Sequence, residues 1–539
     1  MSPSMNSLLA LLFSCLSAWL LHLIYKTYTH RKWFQDKPGP PHSLLWGHLK
    51  VMGDAAATMP PNTHPQAYMT SIAQKYDLEG IFYLDLYPAS VSMVVLTEPT
   101  LMDHIAITKP LRVHPMAEEL LSPMLGTNII AAANGAVWKM LHKAMAPAFN
   151  WGHVRGLTGL FVEETLEFRR ALDKLAESEE LFSMEDVSAK LVFDIIARVV
   201  FNYSLHAQTK GSQVLEDLRQ MVKLAENAAF SWSPVDKVKT WFARRKVLGR
   251  LNPEIEGKLK ERFELLKEEG VVPSRKDAPS ILDLMLRDKL ASGETTLLGA
   301  DVELLVANIK GLLVGGHGTS TDTLCFIYIL LSTHPDVLST IREEHSKVFA
   351  ENIEDTIAIF QENPSKLAEL EYTSAVIKET LRLFPVGYGV REAPDGYTVT
   401  YNHKTYPLDH DLMVVSCSHT LHYNPQIYPS PTTFNPSRFI DPTDPNTKNC
   451  FRTFGRGSRA CLGQNMAIEE LKVILLLTVR EYDFLFEKEE QVIGSDNGGK
   501  RRTEWTNLDE VYGDVVFQEL GLEARPRGGV MMRVRKVGR

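Results

Sequence analysis

Ten residues, FGRGSRACLG at positions 454–463, constrain this chain more than any other stretch. They hold three glycines, two arginines and one cysteine, and an apolar, helix-patterned run, QNMAIEELKVILLL, follows at once. No second cysteine stands at C-x-x-C spacing, which argues against a zinc knuckle or a dithiol redox pair. A helix N-terminus carries unpaired N–H donors and partial positive charge, and both lower a thiol's pKa. The glycines let the backbone turn tightly and approach a flat ligand. A thiolate held this way is either a nucleophile or a metal ligand, and the rest of the chain must decide.

At 539 residues, with 44% apolar and 23% charged residues, the chain can build a large core. A formal charge of −8 gives no reason to expect nucleic acid as a partner. The five cysteines are few, odd in number and scattered, which argues for a reducing compartment rather than a disulfide framework. Residues 8–25, LLALLFSCLSAWLLHLIY, form an apolar run near the lower length for a spanning helix. Lys26, Arg31 and Lys32 follow it and no charge precedes it, so the positive-inside rule turns the following domain to the cytosol. A cleaved signal peptide fits less well, because the basic residues lie on the wrong side and no A-x-A site follows. Pro38, Gly39, Pro40 and Pro41 then read as a stiff, non-helical spacer. The expected division is an anchor over 1–25, a basic, proline-rich hinge over 26–41 and a catalytic domain over 42–539.

Two short strands are expected within residues 76–96, mostly helical patterning over 100–383, and a long apolar helix over 297–332. Alternation returns past Pro385, thins into a proline-rich stretch, and closes in short strands at the C-terminus. Within the long helix Gly315, Gly316 and Gly318 together cost roughly 2–3 kcal/mol relative to alanine. Such a cost suggests a helix whose backbone opens or approaches a ligand there.

Four features in order now resemble one family. FGRGSRACLG fits F-x-x-G-x-R-x-C-x-G through Phe454, Gly457, Arg459, Cys461 and Gly463. Glu379 and Arg382 fit E-x-x-R, and Pro436, Arg438 and Phe439 fit P-x-R-F. GGHGTS, at 315–320, resembles the family's [AG]-G-x-[DE]-T-[ST] segment. Together with the anchor and proline hinge, the chain resembles a microsomal cytochrome P-450, over nearly its whole length.

The resemblance implies a mostly α fold with small β-sheets (α+β), preceded by an N-terminal transmembrane helix. It implies haem b, with Cys461 as the iron ligand whose anionic sulfur pushes electron density onto the metal. Backbone N–H groups of the loop would stabilise that sulfur, and Phe454 would keep water from it. Arg459 and Arg391 would pair with the propionates. WKMLHK resembles the W-x-x-x-R element, with Trp138 in place and His142 where arginine is usual; at i and i+4 the two share a helix face. Glu379, Arg382 and Arg438 would form a structural ion network beneath the haem. The usual acid before Thr319 is absent, since Gly318 stands there. Thr319 with a water chain would carry protons, and Asp322 would supply them.

The function so implied is a monooxygenase that inserts one oxygen atom from O2 into an apolar small molecule. NADPH and flavins would act only through a separate NADPH–cytochrome P-450 reductase, with cytochrome b5 as a further electron donor. Lys139, Lys143, Arg452 and Arg456 would form the docking face. The location implied is the endoplasmic reticulum membrane, single-pass, with the catalytic domain in the cytosol. Expected pocket segments are 112–130, 312–319, 386–390 and 518–524, with Tyr388 as the polar exception near the haem. The overall sequence resembles fungal enzymes that tailor polyketides and other secondary metabolites, including the sterigmatocystin type. Alternatives are a haem-thiolate isomerase or dehydratase of hydroperoxides, needing neither O2 nor reductase, and more remotely a haem sensor or electron carrier.

Overall fold

The computed structural model describes residues 5–487 and 516–538, apart from 232, 277, 442 and 445–448, with backbone only for 5–12 and 230. The architecture is mostly helical with small sheets, as the motif order implies. The expected strand pair is Ile81–Leu84 against Met93–Leu96, antiparallel, and all eight residues are buried. Met413–Ser416 joins Met93–Leu96 in parallel, and Gly389–Glu392 and Arg112–Val113 complete a five-stranded sheet. A strand pair buried on both faces needs unbroken apolar sequence, which IFYL and MVVL supply.

The long apolar pattern is one helix, Gly299–Thr333, running about 52 Å at 1.5 Å per residue. From Ser320 to Leu331 every residue is buried; past the polar Ser320–Thr323 the segment Leu324–Leu331 is apolar on all sides, as a core helix must be. It packs along helix Met184–Phe201. The backbone does not open at Gly315, Gly316 and Gly318; the helix runs through them without a break. Close packing explains two of the three glycines. A Cβ on Gly316 would lie 2.6 Å from Ile196 Cγ1, and one on Gly318 would collide with the Glu523 carboxylate.

Glu379 and Arg382, on helix Glu371–Leu383, are fully buried and pair through two bonds of 2.7 and 2.8 Å. Arg438 adds a third arm, its Nε donating to Glu379 Oε1 at 3.3 Å. Arg382 also donates to the carbonyls of His422, Pro431 and Thr433, which ties the proline-rich stretch to this helix. A buried ion pair is worth little unless its remaining donors are satisfied. Here those donors bind the backbone of the loop the pair must hold.

The N-terminal helix, Met5–Phe34, continues through the basic flank instead of stopping near Tyr25. Its far end is docked. Buried Arg31 donates to the carbonyls of Tyr87 and Leu44, and the Trp33 ring stacks on His410 at 4.3 Å. Residues 35–41 are non-helical as expected, but pinned, with Tyr83 N donating to Pro38 O at 2.8 Å. Phe13, Leu16, Trp19, Leu20, Leu21, Ile24 and Tyr25 are exposed. Among the described residues no single helix is long and apolar enough to cross a membrane. Residues 1–4 of the expected anchor, and the side chains of 5–12, lie outside the described residues.

Candidate functional site

The cysteine loop is shaped by its glycines. Gly455 and Gly457 have φ of 65° and 74°, a region that costs other residues strain. A Cβ on Gly457 would also collide with the Ala106 carbonyl. Cys461 N donates to Phe454 O at 2.9 Å and closes the loop on itself. Helix Gln464–Thr478 begins three residues after the cysteine, with Gly463 as its N-cap. Burial pushes the Cys461 thiol up, while the N–H groups of Gly463 and Gln464 bond the sulfur and pull it down. A metal ion would complete the deprotonation. The thiol lies inside the fold, yet its surface is open to a cavity.

That cavity measures about 390 Å³ and brings together residues from widely separated regions of the chain. Cys461, Phe454, Arg459 and Gly463 come from the loop, Trp138 and His142 from helix Gly135–Met145, Arg391 from the sheet and Thr319 from the long helix. The Arg459 guanidinium lies 4.1 Å from the Trp138 ring centre and donates to Asn134 Oδ1 at 3.0 Å. Trp138 and His142 are in ring contact at 4.9 Å, as their i, i+4 spacing requires. Burial and the neighbouring Arg391 lower Arg459 to about 10, and burial lowers Arg391 as well. Among the described residues neither arginine pairs with a carboxylate. Two desolvated cations beside an apolar cavity leave a charge deficit that a ligand with two carboxylates would fill. A flat dianionic group ligated by sulfur, such as haem, therefore fits these residues.

Other expected positions fall elsewhere. Gly457 shapes the loop from outside the cavity wall. Asp322 does not line the cavity either. It is buried in a cluster with Glu523, Glu185, Glu226 and Arg525, and burial with the neighbouring carboxylates raises it well above its usual range. Three residues from Thr319 is nearly one turn, but the residual rotation is enough to turn Asp322 to a different neighbour. Thr319 Oγ1 donates to Gly315 O at 2.9 Å, the back-bond its position implies. Tyr388 packs beside His64 and Val415's cluster, away from the cavity, and burial raises it to about 12. Residues 386–390 and 518–524 contribute nothing to the cavity wall, whereas Ile196 of helix Met184–Phe201 does. Of the expected docking cations, Lys139 and Lys143 are exposed. Arg452 is buried against Asp103 at 3.0 Å, and Arg456 shares that carboxylate at 3.1 Å.

Glu470 was not foreseen. It lines the cavity, accepts a short hydrogen bond from Ser320 Oγ, and burial pushes it up to about 8. Among the described residues its second oxygen, Oε2, has no hydrogen-bond partner. The sequence offered little signal, because Glu470 sits beside Glu469 and Lys472 in the same helical run.

Residues 38–502 match the family model described as Cytochrome P450. The chain is 31% identical to cytochrome P450 monooxygenase acrF of Aspergillus aculeatus, over 88% of this chain and 98% of that protein. It is 26% identical to cytochrome P450 monooxygenase polC of Polytolypa hystricis, over 88% and 86%. Among solved structures, the haem domain of cytochrome P450DA superposes with a TM-score of 0.72 at 19% identity, over 93% of this chain and 97% of that one.

Proposed function

The chain belongs to the cytochrome P450 family, and from that premise we propose that it is a membrane-anchored haem-thiolate monooxygenase of an apolar small molecule. One observation carries the reading: the cavity joins a cysteine at a helix N-terminus to two arginines that lack carboxylate partners. Haem b held there through Cys461 would supply the activation of O2. The protein's own part is binding and exclusion. Arg391 and Arg459 would hold the propionates, Trp138 keeps Arg459 in place by stacking, and His142 would add a ring N–H where the family's W-x-x-x-R pattern has arginine. Phe454 and the loop around Gly457 and Gly463 keep water from the sulfur and aim N–H groups at it. Two hydroxyls of the long helix line the cavity; Ser320 is committed to Glu470, and Thr319 is the one we assign to passing a proton inward.

The substrate proposed is a fungal secondary metabolite such as a polyketide, because the wall away from the arginines and the cysteine loop carries apolar side chains (Val113, Ile130, Ile196, Leu312). Electrons come from an NADPH-dependent flavoprotein reductase, with cytochrome b5 as a further donor, at a face that includes Lys139 and Lys143. Residues 1–25 anchor the protein in the endoplasmic reticulum membrane with residues 42–539 in the cytosol. The test is turnover with NADPH, reductase and ¹⁸O2 on a panel of polyketides. One labelled atom per product is expected. Product formed from a hydroperoxide with neither NADPH nor O2 would replace this reading with the isomerase one.

A further inference from the structure

Gly318 stands beside Thr319 and has no side chain, yet the space its side chain would occupy is filled. The Glu523 carboxylate, carried by the turn between strands Gln518–Leu520 and Ala524–Pro526, sits where a Cβ on Gly318 would be. That turn is fixed in place. Leu522 N donates to Glu226 Oε1 at 2.9 Å, Ala524 N to Val386 O at 2.8 Å, and Gln518 to Pro385 O at 3.0 Å. A glutamate tip pressed against a helix backbone, one residue from a hydroxyl that lines the cavity, is not a surface charge folded back. It is an acid delivered to a particular turn of the long helix.

We propose that Glu523 is the proton-supplying acid of the site, reaching from the C-terminal turn into the gap that Gly318 leaves and passing protons to the Thr319 hydroxyl. The proposal rests on the monooxygenase reading. In that reaction one oxygen atom enters the substrate C–H bond and the other leaves as water, consuming two electrons from the reductase and two protons. Those protons must reach a cavity whose wall is apolar apart from Arg391, His142, Thr319, Ser320, Glu470 and the cysteine loop with Arg459, and Glu470 is already bonded to Ser320. Glu523 gives up its carboxyl proton toward Thr319 and regains one from bulk solvent, with no net change in its own charge. Thr319 touches the cavity and Glu523 acts through it, so Glu523 is a positioning and supplying residue.

The surroundings keep that carboxyl protonated. Glu226 faces it from helix Gln213–Phe230, Glu185 from helix Met184–Phe201 and Asp322 from the long helix, with Arg525 as the cation beside them. Burial and the three acids hold Glu523 above the usual carboxylate range, and Arg525 only partly offsets them. Glu519 and Arg527 stand at the edge of the same cluster, 3.9 Å apart. Arg525 pairs with Glu226 at 3.4 Å, while among the described residues Asp322 Oδ2 is buried with no hydrogen-bond partner, so the cluster holds more carboxyl groups than its ion pairs use. Asp322 thus keeps a place in the account, behind Glu523.

Two variants and two kinds of readout test this. Glu523→Gln keeps the volume and removes the acid. Gly318→Asp with Glu523→Gly moves the acid onto the helix itself. In Glu523→Gln the reduced CO spectrum should match wild type, while product formed per NADPH falls by about 10²-fold, the lower end for a lost proton donor, and hydrogen peroxide accounts for the difference. Its infrared spectrum should lose one protonated-carboxyl band present in wild type near neutral pH. The double variant should recover most of the coupling, whereas Glu523→Gly alone should not. Normal coupling in Glu523→Gln, an unchanged carboxyl band, or a double variant no better than Glu523→Gly would each overturn the proposal. A wild type without the haem-thiolate spectrum would instead overturn the monooxygenase reading, and this proposal with it.

Discussion

The two walls of the cavity are built in different ways. On the cysteine side, the residues that matter lie close together in sequence. Phe454, Gly457, Arg459, Cys461 and Gly463 fall within ten residues, and the loop closes through its own Cys461 N to Phe454 O bond. On the long-helix side the parts come from far apart: Gly318 is complete only with Glu523, and Gly316 only with Ile196. Holding a ligand atom beside a helix N-terminus needs a fixed backbone shape, which a short segment can specify by itself. Filling a gap in a helix needs a complementary partner, and the chain can supply one from any distance.

Breaking the support beneath the cysteine side should have the largest effect on stability. Glu379→Ala leaves Arg382 and Arg438 charged around an empty place, and stranding a buried charge costs about 3–5 kcal/mol. Denaturant unfolding should show that loss, with little holoprotein recovered. Acid should attack the same region. His422 Nδ1–H donates to Arg382 O and its Nε2 accepts from Arg452 N, so a neutral ring joins the Glu379 helix to the cysteine loop. Burial, with the nearby Arg382, lowers His422 to about 3. Unfolded, the ring takes up a proton below about 6.5; folded, it refuses one until about 3. Its share of stability is therefore complete above about pH 6.5 and lost progressively as pH falls toward 3. The thiolate spectrum should disappear on acidification before helical circular dichroism does, and His422→Gln should flatten the melting temperature below pH 6.5.

What could be read from the sequence follows the same division. The helical fold, the first strand pair and the long helix were legible because each is announced by an apolar pattern in the sequence, whereas the Glu379–Arg382–Arg438 network was legible only through resemblance, since Arg438 is distant in sequence. Trp138, His142, Arg391 and Arg459 were legible as a set only through resemblance; their meeting at one cavity depends on tertiary packing. Asp322 was assigned by counting along a helix, and counting does not reveal that Glu523 already fills the neighbouring space. Arg452 was read as a surface cation because Asp103, its partner, lies in a distant segment.

The long-helix side should respond less to substitution. In Gly316→Ala the new Cβ meets Ile196, and overpacking of about 1–3 kcal/mol outweighs about 1 kcal/mol gained in helix propensity. Urea denaturation should give a net loss of about 1 kcal/mol, and Ile196→Val should recover part of it. The N-terminal helix divides in the same manner. Removing residues 1–25 should release much of the protein from membranes at unchanged melting temperature. Removing 1–33 also deletes the Arg31 bonds to Tyr87 and Leu44 and the Trp33 stack, so it should lower the melting temperature as well.

The central claim is that Cys461 binds haem iron through its sulfur. Of the other cysteines, Cys325, Cys417 and Cys450 are buried, and burial pushes their thiols up, as expected of inert core residues. The direct test is the absorption spectrum of the dithionite-reduced, CO-saturated protein. Wild type, Cys325→Ala, Cys417→Ala and Cys450→Ala should all give the strongly red-shifted Soret band of thiolate ligation, and Cys461→Ala should not. A Cys461→Ala protein that kept the band, or a haem-loaded wild type that lacked it, would contradict the account.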